Sequence, residues 1–171
     1  DRFVTTNTSA SIGVVAVDLA GRAVPGRAIT MALIKIQWNS VRTAQGGGFY
    51  EWESTRTEVP SGTWTVTTGV EPVTLEVPIK EGGYYILRAT GQDAEGRSTR
   101  TEDSVYGMGD GYTAWQRFDH NRITLTPERQ TWKPGERARV MIESPWDTAT
   151  ALVTMEREGI RSHERFTLSS T

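Results

Sequence analysis

Apolar and polar residues alternate along much of this chain with a period of two. From Val73 to Lys80 the residues Val73, Leu75, Val77 and Ile79 fall on one face, while Thr74, Glu76 and Lys80 fall on the other. That spacing predicts a half-buried strand, because successive side chains of a strand leave on opposite faces. Glu81-Gly82-Gly83 reads as a turn, after which Tyr85, Leu87 and Ala89 alternate with Arg88 and Thr90 as far as a second turn at Asp93-Ala94-Glu95-Gly96. The two runs together predict an antiparallel hairpin. Upstream, Ile12 to Val17 is a short apolar run closed by Asp18-Leu19-Ala20-Gly21, and Val24-Pro25-Gly26 precedes the next run, so strand, turn, strand is the expected unit there. In that next run Ile29, Met31 and Leu33 share one parity and Ile34, Ile36 and Trp38 the other. Two accounts are open: a β-bulge near Leu33 and Ile34, or a strand buried on both faces. Gly46-Gly47-Gly48 marks a loop before Phe49-Tyr50-Glu51-Trp52. No window carries a capped helical stripe, so the expected fold class is all-β, an antiparallel β-sandwich or barrel.

The Gly-rich stretch Gly107-Met108-Gly109-Asp110-Gly111 is the expected seam between two domains, residues 1–110 and 111–171, and is read as a flexible joint. Its alternate glycines do not make a nucleotide fingerprint, which needs a strand before, a helix after and a wider spacing. Beyond the seam, Arg122 to Leu125 is a short strand and Trp132-Lys133-Pro134-Gly135-Glu136 a turn in which Gly135 is free to take positive φ. Ala138, Val140 and Ile142 then alternate with polar neighbours, Thr148 to Met155 is another strand, and Arg157-Glu158-Gly159 turns the chain into Arg161 to Leu168. About four strands is fewer than the seven or so of a two-sheet sandwich, so the second domain is expected to be incomplete.

Composition narrows the function classes. The chain is 36% hydrophobic and 23% charged, enough apolar material for a packed core. A net charge of -2 with Lys and Arg dispersed among Asp and Glu gives no basic stripe, which argues against nucleic acid as a partner. No apolar run approaches the roughly 20 residues that cross a bilayer. The opening Asp1-Arg2-Phe3-Val4 has the look of a piece cut from a longer polypeptide. There is no cysteine, so disulfides, thiolate metal sites and thiol nucleophiles drop out together. That absence leans toward a bacterial source, against a weak Asn7-Thr8-Ser9 glycosylation triplet.

Candidate chemistry is sparse. His120 and His163 are the only histidines, without paired carboxylates at metal-ligand spacing, and a surface or turn role is expected for both. No Ser, His and Asp set suggests a triad, and the plentiful acids form no distinctive motif for glycoside hydrolysis. Asp18, Asp93, Glu95 and Asp103 could offer oxygens to Ca²⁺, but an Asp at a turn ordinarily bonds its own backbone. The six tryptophans Trp38, Trp52, Trp64, Trp115, Trp132 and Trp146 suit core plugs, with a sugar-stacking platform as the alternative. Exposed Trp52 and Trp64 on one face would favour sugar, and burial would favour a scaffold. The reading is therefore of no catalytic, cofactor-binding or metal residues and no cofactor.

The segment Leu125-Thr126-Pro127-Glu128-Arg129-Gln130-Thr131-Trp132-Lys133-Pro134-Gly135-Glu136 resembles the opening of a macroglobulin domain in the alpha-2-macroglobulin family, of bacterial type. There a Pro-Asp-Lys-x-x-Tyr-x-Pro-Gly-Glu motif precedes the core strands. Ser144-Pro145-Trp146 and Ala151-Leu152-Val153-Thr154-Met155-Glu156-Arg157-Glu158-Gly159 look like that family's Ser-Pro-Phe and Ala-Leu-Val-Thr-Val-Glu-Arg-Glu-Gly runs. Trp132 and Trp146 depart from the family's Tyr and Phe but keep an aromatic ring. A looser likeness covers the first domain. The resemblance implies two macroglobulin-like (fibronectin-III-like) sandwiches in tandem, the second incomplete. It further implies a structural segment of a periplasmic or extracellular protease trap, with a lipid anchor at the parent's N-terminus as one option and with proteases and neighbouring domains as partners. The family's thioester, which needs a Cys, and its bait segment would lie outside this chain. The alternative is a carbohydrate-binding or adhesin-type module of a bacterial surface protein.

Overall fold

The computed structural model describes residues 2–109, 113–120, 122–146 and 148–168. Eleven strands run in chain order: β1 (Phe3–Thr5), β2 (Thr8–Val14), β3 (Ala28–Ala44), β4 (Tyr50–Thr67), β5 (Val73–Ile79), β6 (Gly83–Gln92), β7 (Ser98–Met108), β8 (Thr124–Pro127), β9 (Val140–Glu143), β10 (Ala149–Glu156) and β11 (Ile160–Leu168). The chain is all-β and forms two compact units. The first comprises residues 1–37 and 56–109, the second 38–55 and 110–171. The far ends of β3 and β4, with the 3₁₀ turn Gly46–Gly48 between them, thus belong with the second unit. Nothing in the local sequence of that hairpin announces this, because β3 and β4 are 17 and 18 residues long and run through residues 38 and 55 as continuous strands.

The first unit is a sandwich. A sheet in the order β1-β7-β6-β3-β4 faces a two-stranded sheet of β2 and β5. Their inner faces meet in a cluster of Val4, Ala10, Leu33, Val77, Ile79, Tyr85, Leu87 and Val105, continued by Val14, Ile29, Met31 and Val66. Val73, Leu75, Val77 and Ile79 face inward as their spacing predicts, with Thr74, Glu76 and Pro78 outside.

Pairing differs from expectation in two places. β5 and β6 do not form a hairpin. β5 pairs with β2, from Thr8 opposite Ile79 to Val14 opposite Val73, and β6 pairs with β3 and β7. The turn at Glu81 carries the chain from one sheet to the other. Likewise β2 and β3 lie in different sheets, with Val17 bridged to Ala23 across the turn between them. Turn residues specify a reversal, but an arch between sheets and a hairpin within one use the same turn chemistry. As for β3, its register with β6 is unbroken from Thr30 opposite Thr90 to Ile36 opposite Tyr84. Leu33 and Ile34 are both buried, so burial on both faces replaces the bulge on this side.

Gly107 and Gly109, read above as part of a flexible joint, are closely packed. Gly107 lies inside β7, opposite Gly83 on one side and Val4 on the other. A Cβ there would stand 2.5 Å from the Glu81 carbonyl oxygen and 2.8 Å from Ile79 Cγ2. Gly109 approaches Thr6 as closely, 2.5 Å from Oγ1 to a Cβ position. Both glycines serve close packing. Asp110 and Gly111 lie outside the described residues.

Besides the far ends of β3 and β4, the second unit holds two separate two-stranded ladders, β8 with β9 and β10 with β11. In the turn before β9, the Glu136 carboxylate accepts the Lys133 N–H at 2.8 Å and Gly135 takes φ 89°. The β10–β11 ladder runs from Ala149 opposite Leu168 to a shift after Met155, and it exposes Leu152, Met155 and Ile160.

Gly107→Val should lower the stability of this chain by about 1–3 kcal/mol, as overpacking against fixed backbone does. Urea denaturation followed by tryptophan fluorescence measures it, and an unchanged midpoint would restore the flexible-joint reading.

Candidate functional site

Asp18, Asp93 and Glu95, singled out for chemistry, are held by structural tasks. Asp18 and Asp93 head two copies of one device, Asp-x-x-Gly-Arg. Asp18 Oδ1 accepts the N–H groups of Ala20 and Arg22, each at 2.9 Å, and Oδ2 accepts Arg22 Nε at 2.9 Å. Asp93 repeats this with Glu95 and Arg97 at 3.0 and 2.8 Å, and Arg97 Nε at 2.6 Å. Gly21 and Gly96 take φ of 77° and 79°, a left-handed turn conformation that glycine adopts without steric cost. The backbone N–H of Arg22, then its side chain, holds Asp18 below the usual carboxylate range. For Asp93 the Arg97 side chain is the leading cause of the same depression. Glu95 is paired to Arg97 at 3.0 Å, and Asp103 stands apart on β7. Among the described residues no three His, Asp or Glu side chains gather to hold a metal ion.

The histidines both fall in the second unit. His120 Nδ1 accepts the Arg122 N–H at 3.1 Å, and its ring stacks on Phe118 at 5.0 Å, which is a turn role. His163 is exposed on β11 opposite Thr154.

The tryptophans divide between the units. Trp64 is half-buried on β4 against both parts of the first unit's core. In the second unit, Trp38, Trp52 and Trp115 line a cleft of about 320 Å³ with Asn39, Ser40 and Arg117. Four polar contacts fix it. Trp52 N–H donates to Asp119 Oδ1 at 2.8 Å, and Ser54 Oγ donates to the Arg117 carbonyl at 2.9 Å. The Ser40 and Ser54 hydroxyls are 2.8 Å apart, and Arg117 N–H donates to Ser40 Oγ at 3.3 Å. The Arg117 guanidinium covers the Trp52 ring at 4.6 Å, so this face is taken by a cation–π contact. One face of Trp52 is thus covered, and Trp64 packs against the core rather than beside it. Sequence reasoning missed this cluster, because no local pattern links residues 38–54 with 114–119.

A second feature not foreseen is a charged ladder on the outer face of the large sheet. Arg88 on β6 donates through Nε to Glu102 on β7 at 2.6 Å and through Nη2 to both Glu58 oxygens on β4, at 3.1 and 3.0 Å. Ala32 on the intervening β3 lies opposite Arg88, and its small side chain leaves the path clear. Arg100 completes the ladder on Glu102, and Arg56 on Glu58 at 3.0 Å. The Arg88 side chain, then Arg100, holds Glu102 below the usual glutamate range, and the Glu102 hydrogen bond raises Arg88. Glu102 and its neighbour Asp103 leave β7 on opposite faces, so they do not form the facing carboxylate pair of a glycosidase.

This architecture, a five-stranded sheet that is antiparallel except for β1 beside β7, facing a two-stranded antiparallel sheet, defines a β-sandwich module. The family model described as Bacterial macroglobulin domain 6 matches residues 1–106, and the chain belongs to that family. Over 167 residues, 96% of this chain, it is 25% identical to a protein named Alpha-2-macroglobulin from Rickettsia conorii. It is 23% identical over 139 residues, 81% of the chain, to an Alpha-2-macroglobulin homolog from Nostoc sp.. It spans only 9% and 7% of those two relatives. Among solved structures, the native conformation of E. coli alpha-2-macroglobulin matches with a TM-score of 0.53 over 99% of this chain and 11% of that one, at 13% identity, which is a likeness of fold.

Glu102 has a folded pKa below its unfolded value, so its contribution is present above the ordinary glutamate value of 4.5 and is lost as pH falls through the lowered one. Arg88→Ala should therefore flatten the loss of stability on acidification below that value. Urea midpoints of both proteins at neutral pH and at about pH 3.5 check this, the expectation resting on linkage.

Proposed function

We propose that this chain is a structural scaffold segment of a bacterial alpha-2-macroglobulin-like proteinase inhibitor, acting within a much longer polypeptide that captures a protease after being cut. The observation that carries the reading is the match of residues 1–106 to a bacterial macroglobulin domain, together with relatives of that name along most of the chain. The site geometry agrees with a scaffold. Asp18 and Asp93 cap turns, Glu58 and Glu102 sit in an ion-pair ladder, Trp64 packs on the core, and the segment supplies rigidity rather than catalysis. Among the described residues no helix is long and apolar enough to cross a membrane.

On this reading residues 111–171 begin a second macroglobulin-like domain, and the seam between the domains falls near residue 110. Two separate ladders and the exposed Leu152, Met155 and Ile160 support a sandwich that is not closed by the described residues. The bait and any thioester lie outside this segment, and the parent works in the periplasm or outside the cell, where it meets foreign proteases.

The full-length parent, incubated with an equimolar broad-specificity protease, should be nicked outside residues 1–171 and become more compact by small-angle scattering. The captured protease should keep its activity on a short chromogenic peptide and lose it on a large protein substrate. Cleavage without compaction, or equal activity on both substrates, would overturn the reading.

A further inference from the structure

Arg27, Arg88 and Arg117 are the half-buried arginines among the described residues. Arg88 is held by Glu58 and Glu102, and the Arg117 guanidinium lies over the Trp52 ring. The Arg27 guanidinium has no carboxylate, hydrogen-bond or aromatic partner among the described residues. An arginine drawn partly out of water loses hydration, which the other two recover from a partner. The Arg27 backbone, by contrast, is pinned on both sides. Its N–H donates to Thr68 Oγ1 at 3.0 Å, its carbonyl accepts the Thr68 N–H at 2.9 Å, and Gly26 N–H donates to the Thr68 carbonyl at 2.7 Å. A side chain rooted in backbone held this way is placed before any ligand arrives.

Arg27 lines a cleft of about 450 Å³ within the first unit, together with Thr30, Thr90, Gln92, Asp93 and Ser98. Strand pairing gathers the polar side chains, Thr30 lying opposite Thr90 and Gln92 opposite Ser98. None of these four side chains hydrogen-bonds to another described residue. Asp93, the acid of the lining, is already engaged by the N–H groups of Glu95 and Arg97 and by Arg97 Nε. Arg97 in turn is engaged by Asp93 and Glu95. Among the described residues, then, the cleft offers one uncommitted cation, three hydroxyls and an amide.

We propose that this cleft binds a carboxylate. The planar guanidinium fork of Arg27 donates to its two oxygens, a geometry that matches a carboxylate. The half-buried Thr90 hydroxyl donates to the same group, and Gln92 meets an amide beside it. A single cation selects a singly charged ligand, because a phosphate group would bring a further negative charge close to Asp93 without a partner. The carboxylate belongs to a small free acid or to an Asp or Glu side chain elsewhere in the same long polypeptide. The chemistry is shared, and it holds whether or not the parent traps proteases.

The test follows modification of each arginine by phenylglyoxal with peptide mapping, in this chain and in its full-length parent. Exposed Arg137 serves as reference, and Arg88, held by two glutamates, reports that the fold is intact. In this chain N-acetylglycine, a singly charged carboxylate with one amide, should slow Arg27 modification at least threefold and leave Arg137 unchanged. The midpoint should be on the order of 1–10 mM, which corresponds to a few charge-assisted hydrogen bonds. Thr90→Val keeps the branched shape, removes the hydroxyl and should raise the midpoint about tenfold, as loss of one such bond does. If Arg27 of the parent reacts and is protected in the same way, the ligand is a free acid. If it is unreactive in the parent while reactive and protectable in this chain, the carboxylate is the polypeptide's own. Unreactive Arg27 in both, equal protection by chloride, stronger protection by inorganic phosphate, no protection in this chain, or a midpoint indifferent to Thr90→Val would each overturn the proposal.

Discussion

Burial of Leu33, Val77, Ile79 and Val105 between two sheets is the constraint on which the first unit depends. These side chains are almost fully enclosed, and they come from strands that are distant in sequence. With no cysteine to cross-link the chain, no disulfide limits the unfolded ensemble, and packing must offset the ordering entropy. Sheet-on-sheet contact of this kind demands that each strand keep its parity, since a slip of one residue would send an apolar row into water. The unbroken register of β2 with β5 and of β3 with β6 follows from that demand.

Close approach at the sandwich's end follows from the same core. The chain passes from β1 in the large sheet to β2 in the small one through Thr6 and Asn7, the latter at φ 62°. Thr6 N–H donates to the Met108 carbonyl at 2.8 Å and Asn7 N–H to the Ile79 carbonyl at 2.7 Å, so the crossover is tied to both sheets. Glycines at 107 and 109 make room for this knot. Thr68 performs a comparable service elsewhere in the unit. Its buried hydroxyl donates to the Val24 carbonyl at 2.7 Å and accepts the Arg27 N–H at 3.0 Å, fixing the turn that leads into β3.

The outer surface is organised by charge. Arg88 spans three strands because a guanidinium fork can satisfy two carboxylates at once and because Ala32 leaves room beneath it. The Asp-x-x-Gly-Arg turns use the same pairing over a shorter distance. Together they engage Asp18, Asp93, Glu95, Glu58 and Glu102 in ion pairs with arginine.

The sequence by itself determined the all-β class, the inward row from Val73 to Ile79, the turns at Asp18, Asp93 and Gly135, and, through its motifs, the macroglobulin resemblance. These are local properties: period, turn chemistry and short segments whose meaning does not depend on distant neighbours. Tertiary structure decided that β5 joins β2 rather than β6, that β3 is buried on both faces, and that residues 38–55 fall in the second unit. It also decided that Gly107 is packed rather than free, and that Arg117 covers Trp52. Each of these depends on which distant segment arrives against a given face or edge, and alternation along one strand carries no record of its partner.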